Sequence, residues 1–163
     1  MISIVKAQKE DALQIAIVNV YTWKTQYQGI IPNEVIDFRI ENIERSENKI
    51  SSRIVEDGQY FVAKKDNTVI GFCRYGKSDF GDYGEIHALY VLKGFSKKGI
   101  GRLLFEAAKE ELNKMGFKSF RINCLRDNPT LDFYLHMGGK VTGEFENEIV
   151  GHTIKEDILF FDI

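Results

Sequence analysis

The chain has 163 residues, 44% hydrophobic and 28% charged, enough for a substantial core and ordinary for a globular protein. Its net charge of −2 argues against a dedicated nucleic-acid binder, which carries a strongly basic face. Met1 to Lys6 lacks the layout of a signal peptide, and Gln14 and Asn19 interrupt the best apolar run, so a cytoplasmic protein without a membrane partner is expected.

Ile2 and Ile4 predict a short first strand. Asp11 is placed to cap a helix carrying Leu13, Ala16, Ile17, Val20 and Tyr21 at helical spacing, which stops near Gln28-Gly29 with Pro32 just beyond. A second helical region runs from Asn33 toward Val55, with Ile43, Ile50 and Ile54 on one side, and Gly58 ends it. Gln59 to Lys65 and Thr68 to Tyr75 form two strands turned at Asp66-Asn67. A polar connection from Gly76 to Asp82 leads into a strand that carries Glu85, and a strong helix follows from Leu103 to Met115. Leu104, Ala108, Leu112 and Met115 make its buried stripe, and Gly116 caps it. Lys118 to Cys124 is a strand with Phe120 and Ile122 on one face, and Asn128 to Met137 a short helix. Lys140 to Ile149 and His152 to Phe161 close the chain as an antiparallel pair, whose free edge leaves room for a homodimer. The pattern is α+β, helices covering a largely antiparallel sheet, in a single domain over residues 1–163. Cys73 and Cys124 sit in apolar strands without a paired motif, as buried free thiols rather than a disulfide or metal set, so no metal is expected.

Between the Glu85 strand and the long helix stands Ser96-Lys97-Lys98-Gly99-Ile100-Gly101-Arg102. A glycine turn opening into a helix offers unpaired N–H groups at the positive end of the helix dipole, here beside two lysines and an arginine, which suits a phosphorylated ligand. Gly94 and Gly99 have Walker A spacing, but Ile100-Gly101 stands where Lys-Ser/Thr is needed. Leu104 likewise replaces the third glycine of a dinucleotide fingerprint.

Glu85-Ile86-His87-Ala88-Leu89-Tyr90-Val91 followed by Lys98-Gly99-Ile100-Gly101-Arg102-Leu103-Leu104 resembles the acetyl-CoA signature of the GNAT acetyltransferase superfamily. A second block, Asn128-Pro129-Thr130-Leu131-Asp132-Phe133-Tyr134 and then Gly138-Gly139, is similar to the family's asparagine followed six residues later by a tyrosine. Ser96 stands where Gln or Arg is common, and Gly139 where an aromatic is usual, a change expected only to loosen that turn. The resemblance implies the GNAT fold and acetyl-CoA as cofactor, bound by Ser96 to Arg102, by the backbone of Leu89, Tyr90 and Val91 where this strand splays from its neighbour, and by Asn128 and Tyr134. It also implies direct attack of a primary amine on the thioester, with no acyl-enzyme.

That reaction needs a base for the amine, donors for the oxyanion and an acid for the thiolate. Glu85 is the candidate base, with a pKa raised by burial in an apolar strand; it could instead orient the substrate ammonium electrostatically. His87, two residues on, is a second proton carrier or a packed histidine. Tyr134, a phenol protonated at neutral pH, is the candidate acid. Asn128 would bond the pantetheine amides, or simply cap the helix after it. Trp23 and Tyr27 lie where the family often builds its acceptor pocket, and such rings either hold an ammonium by cation–π contact or pack on the sheet. A small amine such as a polyamine is the favoured acceptor. Protein N-terminal or lysine amines, and a noncatalytic acyl-CoA-binding sensor or scaffold, are the alternatives.

Overall fold

The turn at Asp66-Asn67 shows how local chemistry starts the sheet. The structure, a computed structural model, describes residues 1–163. Both turn residues have positive φ, 49° and 69°, the two-residue geometry that matches strand twist and that Asp and Asn tolerate. The turn joins β2 (Tyr60–Lys65) to β3 (Thr68–Lys77). β1 (Ile2–Lys6) pairs antiparallel outside β2, and β4 (Gly84–Val91) antiparallel outside β3. β5 (Ser119–Leu125) follows β4 in parallel, and β6 (Lys140–Ile149) and β7 (His152–Asp162) complete the order β1-β2-β3-β4-β5-β7-β6. The expected α+β class with a mostly antiparallel sheet is what forms.

Two irregularities position the site. The parallel pairing of β4 with β5 covers only Gly84 with Phe120 and Glu85 with Arg121, after which the strands part. In β4 the register passes from Tyr75/Ile86 to Arg74/Ala88, so His87 is the extra residue of a bulge. Sequence alternation alone does not reveal such an insertion.

Helices cover both faces. α1 (Ala12–Gln26) and α3 (Ile43–Glu56) pack Ile15, Val18, Ile50 and Ile54 against Val62 and Phe72, with α2 (Asn33–Glu41) beside them. On the other face α4 (Ile100–Lys114) and Tyr134 of α5 (Leu131–His136) close over Phe120, Ile122 and Phe161. Leu104 and Leu112 are fully buried, each worth about 1.5–3 kcal/mol of transfer free energy.

Several local expectations change. The single helical region from Asn33 is two helices, broken at Asn42, whose amide donates to the Phe38 carbonyl at 2.8 Å. Asp11 does not cap α1 with its side chain; its carboxylate accepts the Gln8 N–H at 2.8 Å and pairs with Lys64 at 2.8 Å. α1 is apolar nearly all round, so its periodicity has two solutions. The face that packs carries Ile15, Val18 and Trp23, while Leu13, Ile17 and Tyr21 are exposed. Met115 is exposed at the end of the α4 stripe. Gly139 does more than loosen a turn: a Cβ there would lie 2.7 Å from the Phe161 ring and 2.9 Å from the Tyr134 carbonyl. The aromatic expected at that turn is supplied by β7.

Candidate active site

The parting of β4 from β5 opens a cleft of about 1210 Å³ that runs from the N-terminus of α4 to the underside of α1 and α2. At its first end α4 starts at Ile100, earlier than its apolar stripe predicts, because Gly99 takes the left-handed conformation (φ 81°) at the N-cap. The first helical bond runs from the Leu103 N–H to the Gly99 carbonyl, which leaves the N–H groups of Ile100, Gly101 and Arg102 unpaired. A Cβ on Gly99 would meet nothing within 4 Å, so the space beside the turn is open. Ser96, Lys97, Gly99, Gly101 and Arg102 line the cleft. Lys98 does not; its ammonium lies over the Phe95 ring. The Ile100 side chain is 2% exposed in the core, leaving only its backbone to the site.

Midway, Leu89, Tyr90 and Val91 line the cleft from β4, and Asn128 and Tyr134 face them from the β5–α5 side. The Asn128 side-chain oxygen accepts the Thr130 N–H at 3.1 Å, and its amide donates to the Tyr27 hydroxyl at 3.3 Å. Asn128 thus caps its turn and also lies on the cleft. Burial pushes the Tyr134 phenol well above its ordinary range, so it is protonated at any working pH.

The far end holds the charges. Glu85 sits in a closed set of partners: its Oε1 accepts the Ser78 hydroxyl at 2.7 Å and lies 3.5 Å from Arg121 Nε, and its Oε2 is 3.2 Å from His87 Nδ1. Burial alone would raise its pKa, but the bonds from His87 and Ser78, with the charges of His87 and Arg121, hold it below the ordinary carboxylate range. The raised pKa expected of Glu85 is therefore overturned, because an apolar-looking strand brings it three polar partners. Arg121 is buried with its guanidinium 4.0 Å over the Phe80 ring.

Trp23 and Tyr27 are buried and line the same end. Trp23 Nε1 donates to the Tyr90 hydroxyl at 3.3 Å, and the cation over its ring is the chain's own Arg39, at 4.2 Å. One face of the Trp23 ring is thus occupied by a guanidinium of the chain itself.

Residues 20–138 match the Acetyltransferase (GNAT) family. The chain belongs to that family. It is 31% identical over 159 residues to the uncharacterized N-acetyltransferase YuaI of Bacillus subtilis strain 168, covering 96% of this chain and 90% of that protein. Its fold superposes with a TM-score of 0.82 on the PaiA N-acetyltransferase of Thermoplasma acidophilum, solved in complex with coenzyme A, at 25% identity over 100% of this chain and 99% of that one. YncA of Salmonella typhimurium, a putative acetyltransferase solved with acetyl-CoA, matches at TM-score 0.74 and 15% identity over 99% and 94% of the two chains. The protein is thus an acetyl-CoA-dependent N-acetyltransferase of the GNAT family, which sets aside the noncatalytic reading.

The residues of this GNAT chain fit that cofactor: the unpaired N–H groups at α4, the open space at Gly99 and the cationic Lys97 and Arg102 suit a diphosphate. When bound, acetyl-CoA supplies an activated acetyl thioester. Sequence reasoning missed Glu156 on β7, which lines the far end of the GNAT cleft. Ile154, Glu156 and Ile158 alternate on one face of β7, the same carboxylate-in-an-apolar-strand signal that marked Glu85. Burial raises its pKa most, the Asn123 amide and the Arg121 charge pull it back, and the charge of Glu85 raises it further. Arg39 and Arg74, also on the cleft, carried no comparable signal, since nothing local distinguishes them from surface arginines.

Proposed function

We propose that the protein moves the acetyl group directly onto a small primary amine, with cofactor and acceptor bound together. One observation carries this reading: a single cleft connects the α4 N-terminus to the carboxylates and aromatics under α1 and α2. Glu156 takes the proton from the acceptor ammonium, because its raised pKa suits a general base better than the depressed one of Glu85. Glu85, ionised and held by Ser78, His87 and Arg121, fixes the His87 imidazole and adds the negative potential that draws an ammonium inward. Tyr134 donates to the departing sulfur, and the Leu89–Val91 backbone orients the pantetheine arm. Burial pushes the thiols of Cys73 and Cys124 up to about 12 and about 11, which supports a route without an acyl-cysteine. Among small amines the resemblance favours a polyamine; the guanidiniums of Arg39 and Arg74 on the cleft wall weigh against so cationic an acceptor.

Thermal unfolding with and without acetyl-CoA, against NAD and ATP, tests the binding half. At about 100 Kd the stabilisation is about 2.7 kcal/mol, or roughly 5–10 °C. A rise with acetyl-CoA alone is expected; an equal rise with ATP would reduce the loop to a general phosphate site.

A further inference from the structure

Five cations from three elements lie near one another, and two of them line the acceptor end of the cleft. Arg45, Lys49 and Arg53 stand at successive i, i+4 positions of α3, where like charges are about 5–6 Å apart at Cβ and destabilise a helix. Arg39 of α2 and Arg74 of β3 continue the group onto the cleft wall itself. No carboxylate lies within 4.0 Å of any of the five. Arg126, by contrast, is paired with both Asp157 and Glu144. The mutual repulsion is strong enough to hold Lys49 below its ordinary ammonium range, through Arg53 first, then burial, then Arg74, Arg45 and Arg39. Asp57 and Asp79 act on Arg74 only at longer range.

In a chain of net charge −2 this is a concentrated positive field, and two of its members, Arg39 and Arg74, line one end of a cleft whose other wall carries Glu85 and Glu156. The acceptor end is therefore charged asymmetrically: guanidiniums on the β3 and α2 side, carboxylates on the β4 and β7 side. A polycation would be repelled by the first wall, and a simple alkylamine would leave Arg39 and Arg74 without an anionic partner.

Resting on the N-acetyltransferase reading above, we infer that the acceptor is a small molecule bearing an anionic group, a carboxylate or a phosphate, at the end remote from its amine. Arg39 and Arg74 receive the anion. Arg45, Lys49 and Arg53 supply the field that guides it in. β3 and β7 are three strands apart, more than about 14 Å at the backbone because β4 and β5 part between them, less the inward reach of the side chains. The amine and the anion are therefore separated by a chain of several atoms.

The test is a matched series: ω-amino carboxylates from glycine to 6-aminohexanoate and the corresponding ω-aminoalkyl phosphates, each against the alkylamine of equal length, with spermidine and an acidic peptide alongside. Acetylation by the full-length protein should favour the anionic member of a pair by about ten- to a hundredfold in kcat/KM, with an optimum at the longer spacers. Whether carboxylates or phosphates lead identifies the anion. In Arg39→Gln and Arg74→Gln the preference should collapse through a raised KM for the anionic acceptors, while the shift with acetyl-CoA is kept. Calorimetric binding of the amino acids and amino phosphates to the protein without cofactor reads the same site independently of turnover. Preference for spermidine or plain alkylamines, acetylation of the acidic peptide alone, or an anion preference untouched by both arginine variants would overturn the inference. Loss of the acetyl-CoA shift with calorimetric anion binding intact would instead sink the transferase reading and leave the anion site standing.

Discussion

Glu156 and Glu85 occupy the same face of the same sheet and have opposite fates. The one bonded to Ser78 and His87, with a guanidinium 3.5 Å away, is held ionised; the one left with Asn123 and the charge of Arg121 is pushed toward its neutral form. The groups facing Glu156 are Asn123 and Arg121 from β5, and Glu85 and Tyr90 from β4. Because its folded pKa lies above its unfolded one, the native state holds its proton longer than the unfolded chain does, and stability falls as pH rises through that window. Glu156→Gln should therefore raise Tm at pH 7 to 8 and leave it unchanged below about pH 4. The same variant should cut kcat and erase the acidic limb of the pH–rate profile; a limb that survives would return the proton to Glu85 or His87. Tyr134→Phe should lower kcat by about 10²-fold or more with little effect on the acetyl-CoA shift, and equal turnover would mean that water donates to the sulfur.

At the scale of elements, the α5–β6 turn is tighter than its glycines suggest. Any side chain at Gly139 must displace the Phe161 ring or the Tyr134 carbonyl, and through the latter the helix that carries the proposed acid. Gly139→Ala should cost about 1–3 kcal/mol, a drop of several degrees in Tm, and should depress kcat along with stability. A neutral Tm would show that the turn has slack. The elements themselves were largely legible, because each rests on a local signal: the Asp66-Asn67 turn, the α4 stripe, the closing hairpin. What was hidden has a non-local cause. The face of α1 is chosen by what it packs against, and the β4 bulge by the register of β3. In the site, the glycine loop and Glu85 lie in one stretch of sequence and could be read together. Glu156, Arg39 and Arg74 come from three distant elements and meet only in space.

At the scale of the whole molecule, no helix is long and apolar enough to cross a membrane. β1 and β6 form the two edges of the sheet, and β6 is the free edge expected of the closing antiparallel pair. The seam between β4 and β5 has a further consequence. Two register pairs are all the ladder that links a four-stranded block to a three-stranded one. Phe105 of α4, packed on Phe120 and Phe161, adds to that ladder from beneath the sheet. A pantetheine arm bound along β4, as proposed above, would act as mortar, bridging the two blocks where the ladder between them stops.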